Sequence, residues 1–166
     1  MRRPILVVAL VMCVSPAAAS DAATAGPEKL WATVNVCDSA GARNVIGIRA
    51  GMAGNGTAQR MYTRFEAQWY SAKRRRFVPT GSRSRWISAG SARYKSSQTG
   101  YSFQFADPPP GTTYLMRGKV SYQWRARRAR RWVVVRRASR LTVAGMKGVK
   151  GGDIEGRSDA FCLIRH

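Results

Sequence analysis

Arginine is the residue type with the most chemistry to offer in this chain, and it is clustered. Arg125-Ala126-Arg127-Arg128-Ala129-Arg130-Arg131 is followed by Arg136, Arg137 and Arg140, so eight arginines fall between positions 125 and 140. A second group is Lys73-Arg74-Arg75-Arg76. A guanidinium is planar and permanently charged, and it grips phosphate, sulfate or carboxylate through two parallel hydrogen bonds. The chemistry on offer is therefore anion capture. Trp124 and Trp132 flank the larger cluster with rings that could stack on a sugar or base, although their parity in the surrounding alternation directs both toward a core. From Ala67 to Gly152 there are twenty Lys or Arg and one carboxylate, Asp107, which accounts for nearly all of the +21 formal charge. Such a surface repels its own copies and attracts nucleic acid, anionic glycan or acidic lipid.

Two plainer explanations compete with a dedicated anion surface. Arg outnumbers Lys by 23 to 6, a bias that a GC-rich genome produces without a ligand. Charge on hairpin tips and edge strands also blocks edge-to-edge aggregation. Genome bias accounts for Arg over Lys but less well for the shortage of Asp. The residues expected to face a polyanion are Arg74, Arg75, Arg76, Arg125, Arg127, Arg128, Arg130, Arg131, Arg136 and Arg137. The expected partners are envelope glycans or extracellular nucleic acid. Another exported protein, docking on the edge formed by residues 132–135, is the alternative. Sequence-specific nucleic-acid reading is not expected, because no helix-turn-helix, zinc-finger or RRM pattern is present.

Catalysis is not expected either. The one histidine, His166, is the last residue, so a Ser-His-Asp or Cys-His site would draw its base from the chain terminus. Glu66 stands beside Arg64 on the polar side of its strand and reads as half of an ion pair. Asp107 opens a proline turn. Asp153, Glu155 and Asp159 fit no calcium loop. The run Gly145-Met146-Lys147-Gly148-Val149-Lys150-Gly151-Gly152 lacks the GK[ST] ending of a P-loop and reads as a mobile connector. No CxxC or Cys/His cluster exists, so no metal or cofactor is expected.

The first residues read as an export signal. Arg2 and Arg3 precede an apolar stretch over 5–14, and Ala17-Ala18-Ala19 forms a small-residue cleavage site. A retained anchor and a lipoprotein cysteine at Cys13 are the alternatives; Met12 is larger than lipoprotein processing normally accepts. The division is a cleaved signal over 1–19, a disordered lead-in over 20–27 and one domain over 28–166. No later run of about 18 apolar residues occurs to span a bilayer. The expected location is extracellular or envelope-associated. Removing the signal leaves Cys37 and Cys162, which most simply pair in an exported chain, with two unpaired buried thiols as the alternative. The bond would close a loop of about 125 residues, worth about 4–5 kcal/mol in the chain-entropy picture.

The elements that must carry these side chains are strands. From Tyr114 to Arg125 the even positions are apolar, Gly118 apart, and the odd ones, Leu115 apart, are polar or basic. That is a long half-buried antiparallel strand. Tyr101, Phe103 and Phe105 alternate with Ser102, Gln104 and Ala106, as do Phe65, Ala67 and Trp69 with Arg64, Glu66 and Gln68. Further strands are expected over 30–37, 45–50, 132–137, 140–143 and 160–164. Turn signals separate them at Gly54-Asn55-Gly56, Pro79-Thr80-Gly81, Asp107-Pro108-Pro109-Pro110-Gly111 and Gly151-Gly152-Asp153. The two basic clusters then fall at hairpin tips. Seven to nine strands with no sustained helical period point to an all-β antiparallel sandwich.

Pro110-Gly111-Thr112-Thr113-Tyr114, running into Met116, Arg117 and Val120, resembles the corner before the F strand of fibronectin type III and immunoglobulin-like domains. The resemblance implies an immunoglobulin-like sandwich, Tyr114 as the tyrosine whose hydroxyl bonds back to the corner, and Trp69 as a core tryptophan. It departs from antibody domains at Met116, where those place a cysteine. The layout also resembles small exported bacterial proteins of unassigned role. The reading that follows is an exported, non-catalytic binding module for anionic polymers.

Overall fold

The computed structural model describes residues 29–166. The expected signal over 1–19, the lead-in over 20–27 and Cys13 lie outside the described residues. Nine strands follow in order: β1 (Trp31–Ser39), β2 (Ala42–Ala53), β3 (Arg60–Ser71), β4 (Arg76–Arg83), β5 (Ile87–Ser91), β6 (Ser96–Gln104), β7 (Thr113–Arg128), β8 (Arg131–Leu141) and β9 (Cys162–Arg165). They form two antiparallel sheets. One has the order β1-β2-β6. In the other, β4, β3, β7 and β8 lie side by side, β5 pairs with β3 beyond β4, and β9 pairs with β7 beyond β8. The fold is an immunoglobulin-like antiparallel sandwich.

Alternation dictates which side of each strand is buried. On β7, Met116, Val120, Tyr122 and Trp124 point inward, and on β3 Met61, Thr63, Phe65 and Ala67 do so. They meet Val34, Ile46, Ile48, Ala50 and Met52 of the smaller sheet, all essentially without exposure. The one break in the apolar parity of β7 is Gly118. A Cβ there would stand 2.6 Å from Ile48 Cδ1 and 2.8 Å from Thr142 Cγ2, so Ile48 of the facing sheet fills the space a side chain would take.

Two cross-ties join the layers. Cys37 on β1 is bonded to Cys162 on β9, as cysteine counting anticipates, with an S–S distance of 2.02 Å. The Tyr122 hydroxyl donates to the Trp31 carbonyl at 2.6 Å. The free edge of β1 is also covered, since Val34 and Asp159 exchange backbone hydrogen bonds at 2.8 and 3.0 Å and Val143 N–H reaches Ala32 O at 2.9 Å.

Several expectations change. The strands read as 132–137 and 140–143 are one strand, β8. Pro79-Thr80-Gly81 is not a turn: it lies inside β4, where the register slips opposite Glu66 and Gln68, Gly81 takes φ +88° and Thr80 Oγ1 donates to Ala67 O at 3.1 Å. Proline is tolerated there because β4 is an edge strand. Trp69 is 41% exposed, because β3 runs past the cover of the smaller sheet; Trp124 is the core tryptophan. Trp132 is half-buried. Among the described residues the Tyr114 hydroxyl has no partner, and the tying tyrosine is Tyr122. The connector over 145–152 is anchored: Asn35 Nδ2 donates to Gly151 O at 2.7 Å, Gln98 Nε2 to Gly148 O at 2.7 Å, and Val149 is buried.

Candidate anion-binding surface

The register of β3 against β7 decides where the basic clusters lie. Arg60 pairs with Arg125 at one end of this ladder and Trp69 with Met116 at the other. At roughly 3.3 Å per residue the two ends are about 30 Å apart. The 125–131 cluster and the 73–76 cluster therefore sit at opposite ends of the larger sheet and form no joint surface. Arg74 and Arg75 occupy the exposed β3–β4 turn, with Arg75 at φ 50°, and Arg76 is the exposed first residue of β4, paired with Ser71.

The β7–β8 cluster itself divides. Arg128 pairs with Arg131 across a two-residue turn of Ala129 and Arg130, whose φ values of 44° and 67° are both left-handed. Arg127, Arg128, Arg130 and Arg131 are exposed at this tip. Arg125 is not at the tip but on the sheet face. Arg136 lies over the Trp124 ring at 4.9 Å, and Arg137 pairs with Gln123.

On the outward face of the larger sheet, residues of even parity on β3 and odd parity on β7 come together. Arg125 stands over the Tyr62 ring at 4.1 Å and near the Trp86 ring at 5.6 Å, while Nε and Nη2 donate to Gln123 Oε1 at 3.1 and 2.9 Å. Arg64 covers Trp86 at 4.7 Å and Arg60 covers Trp132 at 4.4 Å. Each such contact contributes about 0.5–1 kcal/mol at an exposed site and holds a flexible side chain in place. Beside this row, Arg64, Lys119 and Arg137 surround a shallow trough with Ser121, Gln123 and Ser139. Farther along, Arg117 lies over Phe77 at 4.2 Å and donates to Gln68 at 2.9 Å; partial burial pulls its guanidinium below the ordinary value. The row of ring-supported arginines is the feature that cluster counting overlooks. Its signal in the sequence is the shared parity of Arg60, Tyr62 and Arg64.

Asp38, Glu66, Asp107, Asp153 and Asp159 are committed to structure. Glu66 pairs with Arg83 at 3.4 Å, not with the expected Arg64, and accepts from Gln68 at 3.0 Å. Asp153 and Asp159 hold Arg157 at 3.2 and 2.9 Å. Burial pushes the Asp38 carboxyl up, but the backbone N–H groups of Arg165 and Asn44 outweigh it, helped by the charges of Arg43 and Arg165, and hold it below the ordinary carboxylate value. Asp107 accepts from Asn44 Nδ2. His166 Nδ1 is 3.0 Å from Pro108 O. Among the described residues, no three His, Cys, Asp or Glu side chains gather as metal ligands, and no helix is long and apolar enough to cross a membrane. The arrangement can do one thing well, which is to present several oriented cations braced on half-buried rings. The chain matches no protein-family model and no curated relative.

Proposed function

We propose that this chain is an exported, non-catalytic binding module for anionic polymers of the envelope or its surroundings. The observation that carries this reading is the row of arginines braced on Trp132, Tyr62 and Trp86, bordered by Lys119 and Arg137. Orienting a guanidinium before contact lowers the ordering cost of binding, and neighbouring ring faces suit sugars or bases. Binding would proceed by displacement of counterions, so affinity falls steeply with salt. The Cys37–Cys162 bond suits an oxidising compartment, in line with the export signal read over 1–19. The resemblance to fibronectin type III and exported bacterial proteins belongs to this reading too.

The test is retention of the protein on DNA, heparin-like and teichoic-acid-like matrices over a salt gradient. Elution above about 0.15 M salt is expected; no retention there, where exposed charges are already well screened, overturns the proposal. A partner protein adding a strand at the β8 edge is the alternative, favoured by exposed Val135 and Leu141. Such a partner would stay bound after neutralisation of Arg127, Arg128, Arg130 and Arg131, whereas polymer retention would fall.

A further inference from the structure

The smaller sheet carries a cation of a different kind. On β2 the inward positions Ile46, Ile48, Ala50 and Met52 are buried, which places Arg49 on the outer face, in register with Thr33 on β1 and Gly100 on β6. Its guanidinium is clasped between two glycines. A Cβ at Gly100 would stand 3.2 Å from Arg49 Cζ, and one at Gly151, which has φ +68°, would stand 2.3 Å from Nη2. Gly151 is fixed in place by the hydrogen bond from Asn35 Nδ2 at 2.7 Å, so the clasp is part of the folded structure.

Arg49 Nε is buried and has no acceptor, and among the described residues Arg49 makes no ion pair. The nearest acid in sequence to Gly151, Asp153, is engaged by Arg157 at 3.2 Å. The cavity around Arg49 is open to one side and bounded by Asn35, Tyr101, Ser102 and the two glycines, with no carboxylate in its lining. The Ser102 hydroxyl has no partner among the described residues. A guanidinium half-withdrawn from water without a counterion is unfavourable, and an oxyanion at its free edge offsets that cost with charge-assisted hydrogen bonds.

We propose that the Arg49 cavity binds a single oxyanion group, with the guanidinium supplying the charge and Ser102 a further donor. The ligand class is a phosphate, a sulfate or a carboxylate, free or at the end of a larger molecule. Arg49 belongs to the other sheet from the Arg64 and Arg125 row, so this site does not rest on the polymer-binding reading.

The test is a titration of the 15N-labelled full chain with inorganic phosphate, sulfate and acetate in separate arms, at constant ionic strength set by chloride. The shielded Arg49 Nε–H and the Gly100 and Gly151 amides are expected to shift saturably, with the strongest arm naming the ligand class. Arg49→Lys should weaken binding at least about tenfold, because the planar fork is lost. Arg49→Gln should abolish the shift, and Gly151→Ala should weaken it by crowding Nη2 while keeping the charge. Should Arg49→Gln not fold, the Lys and Gly151→Ala variants decide the matter. Linear, chloride-like shifts in all three arms, or a saturable shift that survives Arg49→Gln, would overturn the site. Signals from Arg64 and Arg125 report the other face in the same spectra.

Discussion

The Tyr122 hydroxyl donates to the backbone carbonyl of Trp31 at 2.6 Å, joining the middle of β7 to the first residue of β1. Tyr122 is fully buried and Trp31 partly so, which shields the bond from solvent on one side. Tyr122→Phe should cost about 1–2 kcal/mol in denaturant unfolding with an unchanged slope, since the Trp31 carbonyl loses its partner. An unchanged midpoint would show that the tie does not hold the sheets. Burial also pushes the Tyr122 phenol well above its ordinary value, against a smaller opposite pull from Arg140. With the folded value raised, this contribution is whole below about pH 10 and is lost as pH climbs above that, because only the unfolded chain ionises readily. Tyr122→Phe should remove that alkaline sensitivity.

Asp38 works in the opposite direction. Its Oδ1 and Oδ2 accept from Asn44 N–H at 2.8 Å and Arg165 N–H at 3.0 Å, and its folded value is depressed. The stability it confers is therefore present above about pH 4 and disappears as pH falls through the lowered folded value. Asp38→Asn should flatten the acid limb of a stability profile while lowering stability at neutral pH. An acid limb identical to that of the parent protein would refute the assignment.

The turn at the tip of β7 and β8 has the wrong residues for its shape. Ala129 and Arg130 both have left-handed φ, a conformation that suits Asn-Gly. Replacing the pair by Asn-Gly should stabilise the protein by about 1–2 kcal/mol. Thermal unfolding that shows no gain would mean the surrounding strands, and not the turn, set the local energy.

Sheet face and remote tip can be compared charge for charge. Arg64→Gln, Arg125→Gln and Arg137→Gln together remove as many cations as Arg74→Gln, Arg75→Gln and Arg76→Gln. Each triple should lower the salt slope of DNA binding by up to about three. The face triple should cost at least about tenfold more affinity than the tip triple, because it also removes ring-braced guanidinium groups. Equal losses would mean that diffuse charge alone does the binding.

Trp124→Ala should cost about 3–5 kcal/mol, whereas Trp69→Ala should cost under about 1 kcal/mol. Denaturant midpoints for the two variants check this pair directly, and a large loss for Trp69→Ala would place it back in the core.

That contrast shows where sequence reasoning stops. Parity on β7 is enough to assign Met116, Val120, Tyr122 and Trp124 to the interior, and cysteine counting is enough to pair Cys37 with Cys162. Parity also puts Trp69 on the inward side, but it cannot say how far the opposite sheet extends. β5 reads Ile87-Ser88-Ala89-Gly90-Ser91, too small and polar to announce a strand; its pairing with Arg60 through Thr63 makes it one. Pro79 and Gly81 look like a turn because a bulge on an edge strand uses the same residues. The arginine clusters were visible at hairpin tips, yet their separation follows from strand register, which depends on pairings distant in the chain. Arg49 was invisible as a site, because its setting is made by two glycines about fifty and one hundred residues away.

The bond between Cys37 and Cys162 has a mechanical consequence. A pull on the two ends of this chain would travel along β1 to Cys37, cross the sulfurs, and leave through β9. Everything between them, including both sheets' central strands and the braced arginines, would be bypassed by the tension. Among the described residues, only 29–36 and 163–166 could be peeled away. A protein anchored at one end and loaded through the other would keep the face that carries the braced arginines folded under force.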